Sequence, residues 1–244
     1  MPESYSALQK TIIAGNKQFD GVSWRTQTKM KQRESFWGFF TRRERLVPTC
    51  RAWLLFTFFG IALIVTGALK VHPFLAVTEP VHGAVLVVEG WVPDYVLEEA
   101  KAEFERHHFA RLYVTGGPLE RGVHLSEYKT YAELGAATLI RIGMSKDAIQ
   151  AVPAPFAQQD RTHTSAVALK NWLHQHATDE TSINVVCKGA YARRSRLLFQ
   201  KVFGEGSRVG VLAIEDRDYD PRYWWKFSQG VRTVFDELVA YIYA

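Results

Sequence analysis

Eighteen consecutive uncharged residues, 52–69 (AWLLFTFFGIALIVTGAL), lie between Arg51 and Lys70. An α-helix needs about 20 mostly apolar residues to cross the hydrocarbon of a bilayer, and about 17 suffice at the lower limit. Flanking Arg and Lys side chains extend the reach by snorkelling to the surface. A helix of a soluble domain carries a polar face, and this stretch has none. The first expectation is therefore a transmembrane helix that divides the chain into two compartments. The competing reading is a central core helix of a soluble domain.

The flanks give a direction. Lys29, Lys31, Arg33, Arg42, Arg43, Arg45 and Arg51 precede the span, against Glu34 and Glu44. After Lys70 no Lys or Arg occurs until Lys101. The positive-inside rule then puts the N-terminus in the cytoplasm and the C-terminal part outside. Some 50 residues before the apolar stretch are too many for an ordinary signal-peptide n-region, which favours an uncleaved anchor. The expected organisation is a basic cytoplasmic arm (1–51), a transmembrane helix (52–69), a linker (70–82) and an extracytoplasmic domain (83–244). The expected location is the inner (plasma) membrane, single-pass, with the domain periplasmic or extracytoplasmic.

Charge divides the same way. Residues 1–70 hold 11 Lys and Arg against 4 Asp and Glu, whereas residues 71–244 hold 19 against 21. The basic character belongs to the arm, which either binds anionic lipid head groups or only sets topology. The outer domain has no basic footprint for nucleic acid. Cys50 and Cys187 fall on opposite sides of the bilayer in this topology, so they cannot pair in one chain.

In the outer part, short apolar runs alternate with longer helical patterns. Strands are expected at 84–88, 112–115, 149–152, 183–187 and 209–214. Helices are expected at about 94–107, 126–142, 164–176, 191–203 and 223–243. Apolar runs without polar alternation suit strands buried on both faces. The alternation predicts an α/β fold, a Rossmann-like three-layer sandwich with a mostly parallel sheet. Pro93 fits a first helical position, Ser145 a short cap, and Thr162 or Thr164 the cap of the third helix.

Ligands of such sheets bind beyond the carboxyl ends of the strands. Those ends carry Glu89, then Thr115-Gly116-Gly117, then Asp160-Arg161-Thr162, then Lys188 ahead of Tyr191, Arg193 and Arg194. Arg193 and Arg194 in a first helical turn oppose the helix dipole but reinforce its N–H groups as an anion trap. The alternative is pairing with acids on neighbouring elements. Gly116 and Gly117 would let a backbone approach a ligand, with the loop after them as a lid. Glu89 at a buried strand end suits acid–base work, or else a salt bridge to an arginine. Asp160 would assist it, cap the third helix or anchor Arg194. The expected ligand-binding set is Thr115, Gly116, Gly117, Arg161, Thr162, Lys188, Tyr191, Arg193 and Arg194. Glu89 and Asp160 are the candidate catalytic groups.

No spacing resembles a zinc site, a Walker loop, a G-x-S-x-G elbow or G-x-G-x-x-G, so no metal and no cofactor is expected. The C-terminal segment from Asp220-Pro221-Arg222-Tyr223-Trp224-Trp225 to Tyr241-Ile242-Tyr243 either packs on the domain or lays its rings at a bilayer surface.

The order of these short motifs is also informative. Thr115-Gly116-Gly117 follows a strand, and Ile142-Gly143-Met144 leads into Ser145-Lys146-Asp147-Ala148-Ile149. Asp160-Arg161-Thr162 precedes a helix bearing Ala166, and a strand then runs into Lys188-Gly189-Ala190-Tyr191-Ala192-Arg193-Arg194. Over about residues 82–215 this resembles the ElyC/SanA/YdcF-like proteins (domain-of-unknown-function family 218). The resemblance implies a Rossmann-like domain behind one N-terminal membrane helix and a role in cell-envelope and peptidoglycan-related processes. It aligns Gly116 and Gly117 with the family's Ser-Gly-Gly turn, Thr162 and Ala166 with its Asn-Thr…Asn-Ala segment, and Arg194 with the arginine of its His-x-x-Arg motif. Tyr191 stands where the family usually has His, Tyr131 where it has Glu, and Ser165 where it has Asn. A His–Glu pair in relatives would therefore be missing here. The expected function is a membrane-anchored envelope protein binding a phosphate-bearing or other anionic ligand, with transferase or hydrolase action in peptidoglycan or lipid-linked precursor metabolism as its enzymatic form. A non-catalytic envelope scaffold is the alternative. The expected partners are the lipid bilayer and that anionic, small-molecule or lipid-linked ligand.

Overall fold

The computed structural model describes residues 40–42, 46–82, 85–176 and 182–244. Most of the basic arm therefore lies outside the described residues. Two short strands, β1 (Phe40–Arg42) and β2 (Leu46–Pro48), pair antiparallel ahead of the first helix.

Helix α1 (Cys50–Leu75) contains the apolar stretch and is long and apolar enough to cross a membrane. Almost none of its most apolar stretch is covered by protein. It does not stop at Lys70, where a linker was expected. It continues through Pro73 to Leu75, because its last turns find a partner. Leu75 is fully buried with Ala190, Tyr219, Trp224 and Val234, and Ala68 and Val71 pack against that cluster. The helix end is thus part of the domain.

From Leu75 the chain runs back along the outer edge of the sheet. Glu79 and Val211 exchange both backbone hydrogen bonds, at 2.8 and 3.1 Å. Further on, Val81 exchanges two with the Asn184 side chain. The chain then enters β3 (Val85–Glu89), the central strand. There follow α2 (Asp94–His107), β4 (Leu112–Gly116), α3 (Tyr131–Arg141), β5 (Ile149–Pro153), α4 (Arg161–Gln175), β6 (Ser182–Lys188), α5 (Ala192–Phe203), β7 (Arg208–Ile214) and α6 (Ser228–Tyr243).

The sheet order is β5-β4-β3-β6-β7 and every pairing is parallel. Alternation along β3 divides the core. Val85 and Val87 face α4 and α5 in one cluster, and Leu86 and Val88 face α2 and α3 in the other. Each fully buried aliphatic side chain is worth about 1.5–3 kcal/mol, so these two faces carry most of the fold's stability.

Several boundaries differ from the sequence reading for local reasons. Helix α3 begins at Tyr131 instead of Ser126, because Thr130 and Glu133 form a reciprocal capping box. Pro93 is the residue before α2, not its first. Ser145 makes no side-chain cap. The aromatic C-terminal helix is two pieces, a 3-10 turn (Pro221–Lys226) and then α6.

Candidate functional site

The carboxyl edge of the sheet is assembled from strand ends in register. Glu89 on β3 is directly opposite Thr115 on β4. The Glu89 side chain is 1% exposed, and its Oε1 and the Thr115 Oγ1 are both buried without hydrogen-bond partners. Burial raises the Glu89 pKa. The side chains of Thr162 and Trp91 and the charge of Arg194 pull part of that rise back, and Glu237 adds to it.

At this edge a cavity of about 340 Å³ is lined by Trp91, Gln158, Gln159, Asp160, Arg161, Thr162, Tyr191, Arg194 and Ala240. Trp91 and Tyr191 pack edge to face in its wall, their ring centroids 5.5 Å apart. A smaller pocket shares Trp91 and Arg161 and reaches Gly117, Tyr131, Phe156 and Ser165. The two adjoin at Trp91 and Arg161, and together they are the cleft at the carboxyl edge of the sheet.

Helix α4 opens onto this cleft. Asp160 holds a left-handed conformation (φ 53°, ψ 42°) just before it, and its side chain makes no cap. Thr162, the other candidate cap, is the second residue of the helix and is turned inward toward Glu89. The Asp160 carbonyl accepts from the Thr164 N–H. Arg161, the first helical residue, is exposed and ion-paired with Glu120.

The basic residues divide. Arg194 does not meet Asp160. Its Nε and Nη2 donate to the two oxygens of Glu237 at 2.7 and 2.9 Å. Glu237 on α6 thus supplies an anion to the first turn of α5, where the helix dipole favours negative charge. The Arg194 half of the expected anion trap is therefore satisfied from within the protein. Burial works against the Arg194 charge, but Glu237 outweighs it and holds its pKa up. Arg193 points away, with its guanidinium 4.1 Å from the Phe74 ring centroid and its Nε donating to the Phe74 carbonyl. Lys188 also turns from the cleft, 2.6 Å from Asp218 and 3.2 Å from Asp216. Burial opposes its charge, yet the Asp218 hydrogen bond and Asp216 raise its pKa on balance.

The two glycines have different reasons. A Cβ on Gly116 would lie 2.7 Å from the Tyr131 Cβ and 2.9 Å from the Ala132 nitrogen. Gly116 admits the first turn of α3, and ligand approach is not needed to explain it. At Gly117 a Cβ would meet the Pro155 and Ala154 oxygens at 3.5 and 3.9 Å, ordinary contact distances, and this residue does line the cleft.

The structure brings together Glu89, Thr115, Asp160, Arg161, Thr162, Tyr191, Arg194 and Gly117, and separates Lys188 and Arg193 from them. Sequence reasoning missed Glu237 and Trp91. Glu237 was legible as a carboxylate on the buried face of α6, which it shares with Gly230, Thr233 and Val234. Burial pushes the Cys187 thiol pKa well up, which disfavours the thiolate. Among the described residues no group of three His, Cys, Asp or Glu is disposed to hold a metal ion. Comparison with protein-family models and with curated protein sequences finds no match to either.

Proposed function

We propose that this chain is a single-pass membrane protein of the cell envelope, of the ElyC/SanA/YdcF-like kind, whose extracytoplasmic α/β domain binds a phosphate-bearing ligand in the cleft at the carboxyl edge of its sheet. The lead observation is the α4 N-terminus, which lacks a side-chain cap and lines the cleft with Asp160, Arg161 and Thr162. Exposed N–H groups and the positive end of the helix dipole favour an anion there. Arg161 can join it. Its pair with Glu120 is exposed, and such pairs are worth only about 0–1 kcal/mol, so exchange for a phosphate oxygen costs little. The raised pKa of Glu89 favours a neutral carboxyl, which repels no anion and can donate a hydrogen bond or a proton. Trp91 and Tyr191 offer ring faces to a base, a sugar or a prenyl chain. A lipid-linked or nucleotide-like envelope precursor fits that chemistry, with transfer or hydrolysis at the phosphate as the reaction class.

A second reading has its own support. Arg194 and Lys188 are already satisfied by the protein's own acids, as they would be in a non-catalytic envelope scaffold.

The test is thermal unfolding of the full chain in detergent against inorganic phosphate, nucleotides, sugar phosphates and short polyprenyl phosphates, with Arg161→Ala alongside. A ligand at 100 times its dissociation constant adds about 2.7 kcal/mol. At about 2–4 °C per kcal/mol for a chain of this size, the shift is readily read. A shift that Arg161→Ala weakens supports the anion site, and no shift with any probe favours the scaffold.

A further inference from the structure

The aromatic turn before α6 is tied to the helix that carries the apolar stretch. The Trp224 indole Nε1 donates to the Ala68 carbonyl at 2.8 Å. Ala68 is the next-to-last residue of the apolar run, which ends at Leu69 before Lys70. With about 1.5 Å of rise per residue, Trp224 stands within a few ångströms of the level at which α1 would leave the hydrocarbon.

Its neighbours are uncovered. Tyr223, Trp225 and Phe227 are 48%, 36% and 41% exposed, although they follow one another along a segment whose Trp224 is buried. Trp224 and Trp225 meet edge to face, and Tyr223 packs against Trp225 in the same manner. Lys226 sits 4.4 Å from the Tyr223 ring centroid and Arg222 is exposed beside it. The segment thus presents amphipathic rings with cations among them. Trp and Tyr favour the headgroup level of a bilayer, where an apolar body and a polar tip are both satisfied.

We infer that the turn carrying the exposed rings of Tyr223, Trp225 and Phe227 is a lipid-docking surface that seats the domain on the same bilayer leaflet from which α1 emerges. The inference rests on α1 crossing the membrane. It does not depend on what the cleft binds. Trp224 clusters with Ala190, which lies just past the carboxyl end of β6. Docking through this turn therefore holds the carboxyl edge of the sheet toward the lipid and the amino edge toward water.

The full chain with Cys50→Ser would be reconstituted in vesicles of phosphatidylglycerol and phosphatidylethanolamine. Cys187 is buried and stays unlabelled. A nitroxide would be placed at one of four cysteines: Tyr223→Cys, Phe227→Cys, Leu63→Cys within the apolar stretch, or Lys146→Cys at the amino edge. Relaxation by oxygen, which concentrates in lipid, would be compared with relaxation by a water-soluble nickel chelate. The expected result is lipid-like ratios at 63, interfacial ratios at 223 and 227, and a water-like ratio at 146. Water-like ratios at both 223 and 227 with a lipid-like ratio at 63 would overturn the docking surface while leaving the anchor intact. A water-like ratio at 63 would overturn the anchor and the docking surface together. Two labels in the turn guard against one substitution that fails to fold.

Discussion

Replacing Arg194 by methionine leaves the Glu237 carboxylate buried with no countercharge. The Arg194 guanidinium holds both oxygens of that carboxylate, at 2.7 and 2.9 Å, and only 6% of the Glu237 side chain is exposed. Removing one partner of a buried pair costs about 3–5 kcal/mol, because the remaining charge is stranded. At about 2–4 °C per kcal/mol, the midpoint of the Arg194→Met chain should fall by roughly 6 °C or more. The reverse change, Glu237→Met, should cost less. A second acid, Glu89, also feels the Arg194 charge, and loss of Glu237 removes one cause of its raised pKa. Glu89 can then ionise more easily and take over part of the pairing. The double variant Arg194→Met/Glu237→Met strands nothing and should lie within about 1 kcal/mol of the parent. The assay is a double-mutant cycle by chemical denaturation in detergent at neutral pH, where a coupling of about 2–4 kcal/mol is expected. Additive single changes, or an Arg194→Met cost near 0.5 kcal/mol, would refute the claim that this arginine is held for structure and positioning.

Two further changes probe the same edge. Glu89 has a folded pKa above its ordinary value, so the folded state keeps its proton to higher pH than the unfolded chain does. Its favourable contribution is complete below the unfolded pKa, about 4.3, and is lost as pH rises toward the folded value. Denaturation across that window should show stability falling with pH, and Glu89→Gln should flatten the slope. An unchanged slope would mean that the carboxyl is ionised as readily in the fold as outside it. Gly90→Ala should cost about 3 kcal/mol or more, because a Cβ there falls 2.6 Å from the Tyr131 carbonyl carbon, whereas Gly117→Ala should cost less than about 1 kcal/mol. Equal effects on thermal midpoints would show that α3 yields where the packing says it cannot.

The layered fold was legible because buried parallel strands write themselves as apolar runs, and 85–89 and 182–188 are buried throughout. The start of α3 was written in the sequence too, since Thr130 and Glu133 spell a capping box, but the reading from Ser126 passed over it. The end of α1 was not legible. Lys70 closes a run counted by hydropathy, while the helix continues for packing partners more than a hundred residues away in Ala190 and Trp224. The site was half legible. Topology alone brings Glu89, Thr115 and Asp160 to one edge. The partners of Arg194 and Lys188 are set by tertiary contacts with Glu237, Asp216 and Asp218, which no local spacing encodes.

The absence of a tether after α1 has a consequence for reach. A flexible segment over residues 70–82 would let the domain wander by roughly 20 Å root-mean-square, sweeping its cleft through a hemisphere. Here Leu75 is locked in the core, His72 lies 3.1 Å from the Tyr219 hydroxyl, and Phe74 is clamped by Arg193 and Tyr241. The last turns of α1 are therefore fixed to the domain that holds the cleft. With α1 in a membrane, a ligand of the cleft would have to reach it at a fixed distance from the helix end, a criterion of selection alongside chemistry.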